Sequence, residues 1–297
     1  AIKIMRYIHF IVNPISGKGR HVLTEAYIRG FFPAGNYRVE VHTTTHKGHA
    51  IELAQNAKAL NADIIVACGG DGTINEVASC IVGTGIRLGI IPVGSGNGLA
   101  SNLGIPSDME DAIRVIRMAK TGDIDAGKIN DNYFFSNMGF GIDAMIIKHY
   151  ENSGRRTLLS YIFAALSASN KFKATVATIT HDNATVQLRP FLLFASNSNE
   201  MGYKMSLTPN ASLTDGLLNL LIVPELRFWE KIRLGYYVLC KRTERFKKAS
   251  HALVGKVHIV LPEKIFTDVQ IDGEYHYLKT NVFDITVLPG ALKVIIP

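Results

Sequence analysis

Short, fully apolar segments alternate with helical patterns through the first 126 residues, and this alternation constrains the fold more than any other feature. Strands are predicted at 7–12, 37–42, 64–68 and 88–91. A strand that lacks alternating polar residues is buried on both faces, which is typical of a parallel sheet covered by helices. The sequence therefore predicts a doubly wound α/β domain over residues 1–126.

Helices are expected between these strands, at 22–30, 50–60 and 74–82. A further helix is predicted to begin at Ser107, because Glu110 follows three residues later and the pair would form a capping box.

The pattern changes after Asp125, where strand-like segments are separated by polar turns. Helices are predicted at 158–169 and 228–239 only, so residues 127–297 are expected to form a mainly antiparallel β domain. The predicted strands are 133–137, 175–180, 186–195, 217–223, 257–261 and 282–288.

The totals fit two folded domains in the cytoplasm. A chain of 297 residues buries enough surface to form its core without disulfides or metals. The three cysteines are far apart and lack metal-ligand spacing, which indicates reduced thiols. No signal peptide or apolar run of about 18 residues is found, so a transmembrane helix is not expected.

Three glycine-containing loops follow strands of the first domain, at 13–19, 69–76 and 94–98. Loops at the carboxyl ends of parallel strands line one crevice, so we expect these three to converge. Glycine lets backbone amides approach phosphate, and a helix N-terminus adds a positive dipole. One such loop alone is often a tight turn, but three together predict a phosphate site.

Side chains in these loops point to nucleotide and magnesium. Ser16, Thr73 and Ser95 supply hydroxyl groups, and Lys18 supplies a positive charge. The Asp71 carboxylate would be repelled by phosphate unless a cation lay between them, and Mg²⁺ is the natural cation. Neither the G-x-G-x-x-G nor the P-loop pattern occurs, which disfavours those two classes.

The segment GGDGTINEV at 69–77 resembles the nucleotide loop of the diacylglycerol kinase catalytic-domain family, which includes bacterial lipid kinases, sphingosine kinases and ceramide kinases. The segment 13–17 is similar to the NPxSG loop of that family. Other landmarks of the family follow in order along the whole chain: Thr44 with Gly48 and Ala50, Asp125 with Gly127, Asn137 with Gly139 and Gly141, Pro209 to Leu217, and Ile271-Asp272-Gly273-Glu274.

The resemblance implies an α/β nucleotide-binding domain followed by a β-sandwich, and ATP-dependent phosphate transfer to a lipid hydroxyl. It implies a magnesium site made by the Asp215 carboxylate and the backbone oxygens of Ser212 and Leu217, although Asp215-Gly216 alone would indicate a β-turn. The ATP contacts that it implies are Asn13, Pro14, Ile15, Ser16, Gly17, Thr44, Gly69, Gly70, Asp71, Gly72, Thr73, Ile74, Asn75 and Ser95.

The catalytic acids follow from the same resemblance. Glu274 is assigned as the general base and Asp71 as the holder of the nucleotide-bound Mg²⁺, with the two roles open to exchange. Asp125 and Asp272 are expected to link metal-bound waters to the site. The structural alternative is a hairpin turn at Asp272-Gly273, with Glu274 solvated.

The acceptor stays open at this stage because the third loop departs from the family. Many bacterial diacylglycerol kinases carry G-T-x-N-D there, whereas this chain has Gly-Ser-Gly-Asn-Gly at 94–98, similar to sphingosine and ceramide kinases. The acidic position is missing. Diacylglycerol, a sphingoid base, ceramide or another long-chain alcohol all fit.

A basic segment at 227–251 holds eight lysines and arginines against two glutamates, together with Trp229, the single tryptophan. Aromatic side chains beside cations suit a helix lying on an anionic membrane, here the inner surface. An ordinary amphipathic helix with its charges solvated fits equally well. For the apolar segment 158–168, a place in the core is the expectation.

Other classes of function are weighed against this one. An NAD kinase shares a GGDGT loop, but the continuation Ile74-Asn75-Glu76 and the loop at 94–97 disfavour it. A nucleotide-binding regulator without catalysis is disfavoured by the presence of Asp71, Asp215 and Glu274. The net charge of +7 alone does not support a nucleic-acid partner. The sequence leaves the oligomeric state open, a homodimer included.

Overall fold

The computed structural model describes residues 5–19, 23–152, 164–165, 167–169, 171–201 and 205–297. The backbone forms two compact units. The first contains the residues up to Ile124 together with Gly290–Pro297, and the second contains Asp125–Pro289. The domain limits 1–126 and 127–297 stay a prediction. They do not include the return of the C-terminal residues Gly290–Pro297 to the first unit.

A parallel sheet forms the centre of the first unit, in the strand order β2-β1-β3-β4. The strands β3 and β4 are buried almost throughout, as expected for a sheet covered on both faces. The elements of this unit are β1 (Arg6–Val12), α1 (Glu25–Arg29), β2 (Tyr37–Thr43), α2 (His49–Ala59), β3 (Ile64–Gly69), α3 (Asp71–Ile81), β4 (Arg87–Pro92), α4 (Gly98–Asn102) and α5 (Met109–Met118).

The second unit is a β-sandwich. One antiparallel sheet has the order β12-β11-β10-β7-β14-β15, and the other contains β16, β13, β8 and β9, with β5 and β6 at its side. The elements are β5 (Thr121–Ile129), β6 (Asn132–Phe134), β7 (Asn137–Gly141), α6 (Ile142–Asn152), β8 (Ala177–His181), β9 (Ala184–Leu188), β10 (Pro190–Ser196), β11 (Leu218–Pro224), α7 (Phe228–Leu239), β12 (Ser250–Val254), β13 (Lys256–Val260), β14 (Thr267–Ile271), β15 (Glu274–Leu278) and β16 (Val282–Ile295).

Two hydrophobic clusters hold the second unit together. The core between the sheets includes Phe134, Phe140, Leu193 and Phe283. A second cluster lies on the other face of the β10-containing sheet, where α6 and α7 cover it. Because β10 contributes to both clusters, all of its residues are buried. The predicted fold class, an α/β domain followed by a β-sandwich, is confirmed.

Several local predictions were wrong. The capping box at Ser107 does not form, because the Asp108 side chain caps α5 by accepting from the backbone N–H groups of Glu110 and Asp111. The predicted strand at 186–195 is two strands separated at Arg189, and that at 133–137 is also two. Most of the predicted helix at 158–169 lies outside the described residues. None of the described helices is long and apolar enough to span a membrane.

The last strand belongs to both units. The first part of β16 pairs with β13, and its last residues pair in parallel with β4, Lys293 opposite Arg87 and Val294 opposite Leu88. Leu292 and Val294 are fully buried there. The α/β sheet therefore depends on a strand that enters from the far end of the chain.

Replacement of Leu292 by alanine should lower the free energy of unfolding by about 2–4 kcal/mol, because it removes buried methyl groups and leaves a cavity. The neighbouring Lys293→Ala is the matched control. It removes an exposed ion pair with Asp123 and should cost at most about 1 kcal/mol. Urea denaturation measures both, and equal losses would contradict the packing role of β16.

Candidate functional site

The first two glycine loops are joined by Asn13, which follows β1. Its side-chain amide donates to the Thr73 hydroxyl at 3.0 Å, and its side-chain oxygen accepts from the Ile15 backbone N–H at 3.2 Å. The backbone N–H of Asn13 also donates to the Cys68 carbonyl at 2.9 Å. One side chain thus shapes the first loop and ties it to the start of α3.

The second and third loops meet backbone to backbone. A methyl group added at Gly94 would lie 2.5 Å from the Gly70 Cα, so only glycine fits at this contact. The Val93 N–H donates to the Gly69 carbonyl at 2.9 Å. The first loop also reaches this place, since a methyl group at Gly17 would lie 2.5 Å from the Val93 carbonyl oxygen. The three loops therefore converge within the first unit.

Asp71 connects the second loop to the third through its carboxylate. One oxygen accepts from the Asn97 N–H and the other from the Gly98 N–H, both at 2.8 Å. Charge-assisted bonds to two backbone amides hold a loop strongly. Asp71 therefore positions the third loop, whatever else its carboxylate binds.

The remaining predicted nucleotide residues lie around the same loops. Thr44 is buried and its N–H donates to the Val12 carbonyl at the end of β1. The Gly48 N–H donates to the Glu76 carboxylate of α3 at 3.1 Å. The first turn of α3 follows Gly70 directly, and N–H groups in the first turn of a helix favour anions. The side chain of Lys18 lies outside the described part of the chain.

The predicted magnesium loop belongs to the second unit and is held by Asp125. The Asp125 carboxylate accepts from the Gly216 N–H at 2.7 Å, and its own N–H donates to the Leu213 carbonyl at 2.7 Å. Asp215 is exposed and accepts from the Leu217 N–H at 3.1 Å. Buried Asp125 fixes the backbone of the loop, while Asp215 presents its carboxylate to solvent.

Glu274 begins β15, directly after the two-residue turn of a β14–β15 hairpin. The buried carboxylate of Asp272 in this turn accepts from three backbone N–H groups, those of Phe135, Ser136 and Asn137, at 2.8–3.0 Å. These bonds also explain why β6 and β7 are separate strands. The hairpin alternative is thus correct for the backbone, with Glu274 half-buried rather than fully solvated.

A buried polar network lies behind this turn, and sequence reasoning missed it. The Gln270 side-chain amide donates to the Asn137 side-chain oxygen at 2.8 Å and to the Asp143 carboxylate at 2.9 Å. Its oxygen accepts from the Gly273 N–H at 2.8 Å. A methyl group at Gly139 would lie 2.1 Å from the Asp143 carboxylate. The only signal in the sequence was Gly139. The reason for a glycine at this position is the closeness of the Asp143 carboxylate, which the sequence does not show.

Burial raises the pKa of the Asp143 carboxyl to about 6, and the hydrogen bond from Gln270 offsets only part of this shift. A buried carboxylate without a cationic partner destabilises the folded state when it is charged. The charged Asp143 carboxylate therefore lowers the stability of the fold. Gln270 links it to the turn that precedes Glu274.

A second group of potential metal ligands lies on β1 and β2, where His9, Glu40 and His42 have ligand atoms within 4.8 Å of one another. Glu40 is already bonded to Tyr7 and paired with Arg38. The two imidazole rings are stacked, with an angle of 7° between their planes. A metal ion lies in the plane of each imidazole that binds it, so these stacked rings do not form a shared centre.

Comparison with known proteins agrees with this architecture. Residues 7–129 match the family described as "Diacylglycerol kinase catalytic domain", and residues 136–296 match the "YegS C-terminal NAD kinase beta sandwich-like domain". Such a combination defines a two-domain kinase.

The relatives are similar over nearly their whole length. A diacylglycerol kinase of Staphylococcus epidermidis is 32% identical over 277 residues, which cover 89% of this chain and 84% of that protein. A diacylglycerol kinase of Bacillus subtilis is 29% identical over 276 residues, covering 91% and 90%. The chain therefore belongs to the diacylglycerol kinase catalytic-domain family, and it is a phosphotransferase by that membership.

A solved structure supports the fold independently. The crystal structure of a diacylglycerol kinase from Bacillus anthracis superimposes with a TM-score of 0.77 at 23% identity, covering 100% of this chain and 99% of that one. At this level of identity the likeness concerns the fold.

Replacement of Gly94 by alanine should lower the free energy of unfolding by roughly 1–3 kcal/mol, because the added methyl group overlaps the Gly70 backbone. Gly255→Ala is the matched control, since a methyl group there meets nothing within 4 Å. Thermal unfolding followed by circular dichroism measures both. Equal stability of the two variants would show that the loops are not in contact at Gly94.

Replacement of Asp143 by asparagine should stabilise the protein at pH 8 by up to about 3 kcal/mol, the equivalent of two pKa units. The folded state binds the Asp143 proton more tightly than the unfolded chain, so wild-type stability falls as the pH rises from about 4 to 6. Below pH 4 both forms carry a neutral side chain and the difference should vanish. Urea denaturation across pH tests this, and a variant that is less stable at pH 8 would contradict it.

Proposed function

We propose that the protein transfers the γ-phosphate of ATP to the hydroxyl of a lipid, with diacylglycerol or a sphingoid-type lipid as the acceptor. The observation that carries this proposal is the convergence of three glycine loops around Asp71, in a chain that belongs to the diacylglycerol kinase catalytic-domain family. The relatives named above are diacylglycerol kinases, which favours a lipid alcohol over a soluble one.

The nucleotide would lie on the converged loops. Phosphoryl transfer depends on positioning and charge neutralisation, and backbone amides at the start of α3 are suited to phosphate. Hydroxyl groups of Ser16, Thr73 and Ser95 are available as further donors. The predicted contacts from Asn13 to Gly17, at Thr44, from Gly69 to Asn75 and at Ser95 all belong to the first unit, which is consistent with one binding surface.

Two groups of oxygen ligands are suited to Mg²⁺, one at Asp71 and one at Asp215. The Asp71 carboxylate accepts from two backbone N–H groups, and its oxygens are of the hard kind that a nucleotide-bound Mg²⁺ prefers. The Asp215 carboxylate, with the backbone oxygens of Ser212 and Leu217, offers the hard oxygen ligands that Mg²⁺ prefers. When bound, Mg²⁺ would neutralise phosphate charge.

Glu274 is the proposed general base. Its place at the first residue of a hairpin strand, held by Asp272 and by the Gln270 network, restricts the movement of its backbone. A base must be placed within hydrogen-bond reach of the acceptor hydroxyl, so such restriction favours proton transfer. Asp71 keeps the role of organising the phosphates.

An NAD kinase-like reaction is a second candidate, favoured by the match of residues 136–296 to a sandwich domain described as NAD kinase-like. A nucleotide-binding regulator without catalysis is the third. The proposed location is the cytoplasm, with contact at the inner surface of the membrane, where lipid alcohols are found. A homodimer is compatible with either reaction.

The decisive experiment is ATP- and Mg²⁺-dependent phosphorylation of a mixed-micelle panel read by mass spectrometry. The panel holds diacylglycerol, monoacylglycerol, sphingosine, dihydrosphingosine and ceramide, with NAD as a separate acceptor. We expect a phosphorylated lipid with the wild type and none with Asp71→Asn. Phosphorylated NAD alone would favour the second candidate, and bound ATP without any product would favour the regulator.

The roles of the acids separate in the same assay. Glu274→Gln should lower kcat roughly 100- to 10,000-fold with little change in the KM for ATP, as for loss of a general base. Asp215→Asn should instead raise the Mg²⁺ concentration needed for half-maximal activity. Glu263→Gln, an exposed glutamate of the second unit, is the control and should behave as wild type. An unchanged kcat for Glu274→Gln would exclude Glu274 as the base.

A further inference from the structure

The outer face of α7 exposes an unusual amount of apolar surface. Its five large apolar side chains are between 51 and 73% exposed, whereas helices of water-soluble domains normally turn such residues inward. We call this set the α7 stripe: Phe228, Trp229, Ile232, Tyr236 and Leu239.

The position of α7 is fixed by its opposite face. Leu234 is buried in the hydrophobic cluster on the sheet, and Tyr237 and Val238 pack beside it. The Lys231 ammonium donates to the Ser169 carbonyl at 2.9 Å and lies 5.1 Å from the centre of the Phe191 ring. The helix is thus anchored, and rotation to bury the α7 stripe would expose Leu234 instead.

Residues 229, 232, 236 and 239 recur at intervals of three and four, so they share one side of the helix. The apolar stripe is continuous over three turns, about 15 Å at the rise of an α-helix. Scattered exposed apolar residues are ordinary, but a continuous row of them marks a contact surface.

Positive charge surrounds this surface. Residues 227–248 contain eight lysines and arginines against two glutamates, and Glu230 is already paired with Lys248 at 2.6 Å. Within the described part of the chain, several exposed cations of this segment form no ion pair, among them Arg233, Arg242, Arg245 and Lys247. The charge left over is therefore strongly positive.

We propose that the α7 stripe docks on an anionic lipid bilayer, with its apolar side chains among the headgroups and the flanking cations on lipid phosphates. The positive charge favours an anionic bilayer over a second copy of the protein, because a symmetric contact between two copies would bring two positive surfaces together. This inference rests on the proposed function, because a kinase that phosphorylates a lipid needs access to the membrane that holds its acceptor.

The single tryptophan makes the test direct, since Trp229 lies in the stripe and its fluorescence reports on that face alone. The full chain is titrated, without ATP, with vesicles of phosphatidylcholine that contain 30% phosphatidylglycerol, a probe composition of roughly physiological charge. We expect a blue shift of Trp229 emission that saturates, with at least tenfold weaker binding to pure phosphatidylcholine and weakening by salt.

Variants assign the binding to the α7 stripe. Ile232→Gln/Leu239→Gln should bind anionic vesicles at least tenfold more weakly, and Arg233→Gln/Arg245→Gln should lose the preference for anionic lipid. Both pairs are exposed, so folding is preserved and is verified by thermal unfolding. Met118→Gln, at an equally exposed methionine of α5, is the matched control and should bind as wild type.

The outcomes separate docking from catalysis. Vesicle binding without phosphorylation of any lipid would retain the docking surface and reject the proposed function. Docking is supported further if Ile232→Gln/Leu239→Gln phosphorylates a soluble short-chain acceptor normally but loses activity on vesicles. An unchanged Trp229 emission on anionic vesicles would overturn the proposal. A concentration-dependent dimer that the same variant abolishes, without vesicle binding, would assign the stripe to self-association instead.

Discussion

The contact between the Gly70 and Gly94 backbones is the constraint on which the arrangement of the first unit's loops depends. Any side chain at Gly94 would separate the second loop from the third, because its first carbon would lie 2.5 Å from the Gly70 Cα. The same close approach of the two loops accompanies the hydrogen bonds in which the Asp71 carboxylate accepts from the Asn97 and Gly98 amides. The Gly70–Gly94 contact and the hydrogen bonds of Asp71 therefore hold the second and third loops together jointly.

The second unit uses carboxylates in the same way. Asp272 accepts from three consecutive backbone N–H groups, and Asp125 accepts from the Gly216 N–H. Both side chains are buried and both hold loops that lack regular secondary structure. Asp215 and Glu274 are more exposed: Asp215 directly precedes Gly216, and Glu274 directly follows the Asp272-Gly273 turn. Asp125 and Asp272 thus shape the loops, whereas Asp215 and Glu274 are the more exposed acids beside them.

The sequence predicted the convergence of the loops because that depends on a general property of parallel sheets. Each loop follows a buried strand, and the carboxyl ends of such strands meet at one edge. The Gln270–Asp143 network could not be predicted, since it joins positions 127 residues apart and neither shows a local pattern. The start of α5 was misplaced by one residue because Ser107 and Asp108 are both good caps, and only the backbone decides between them.

The helix α7 shows most clearly what a sequence pattern leaves undetermined. Its limits were predicted correctly, because periodicity and propensity are local properties. Periodicity alone does not say which face meets the sheet, since Leu234, Tyr237 and Val238 form a stripe as regular as the one that contains Trp229. The sheet receives the first set because Phe191 and its neighbours provide a matching apolar surface there. The second set is then left outward beside a row of cations, where water is a poor partner for the rings and an anionic interface satisfies both kinds of side chain.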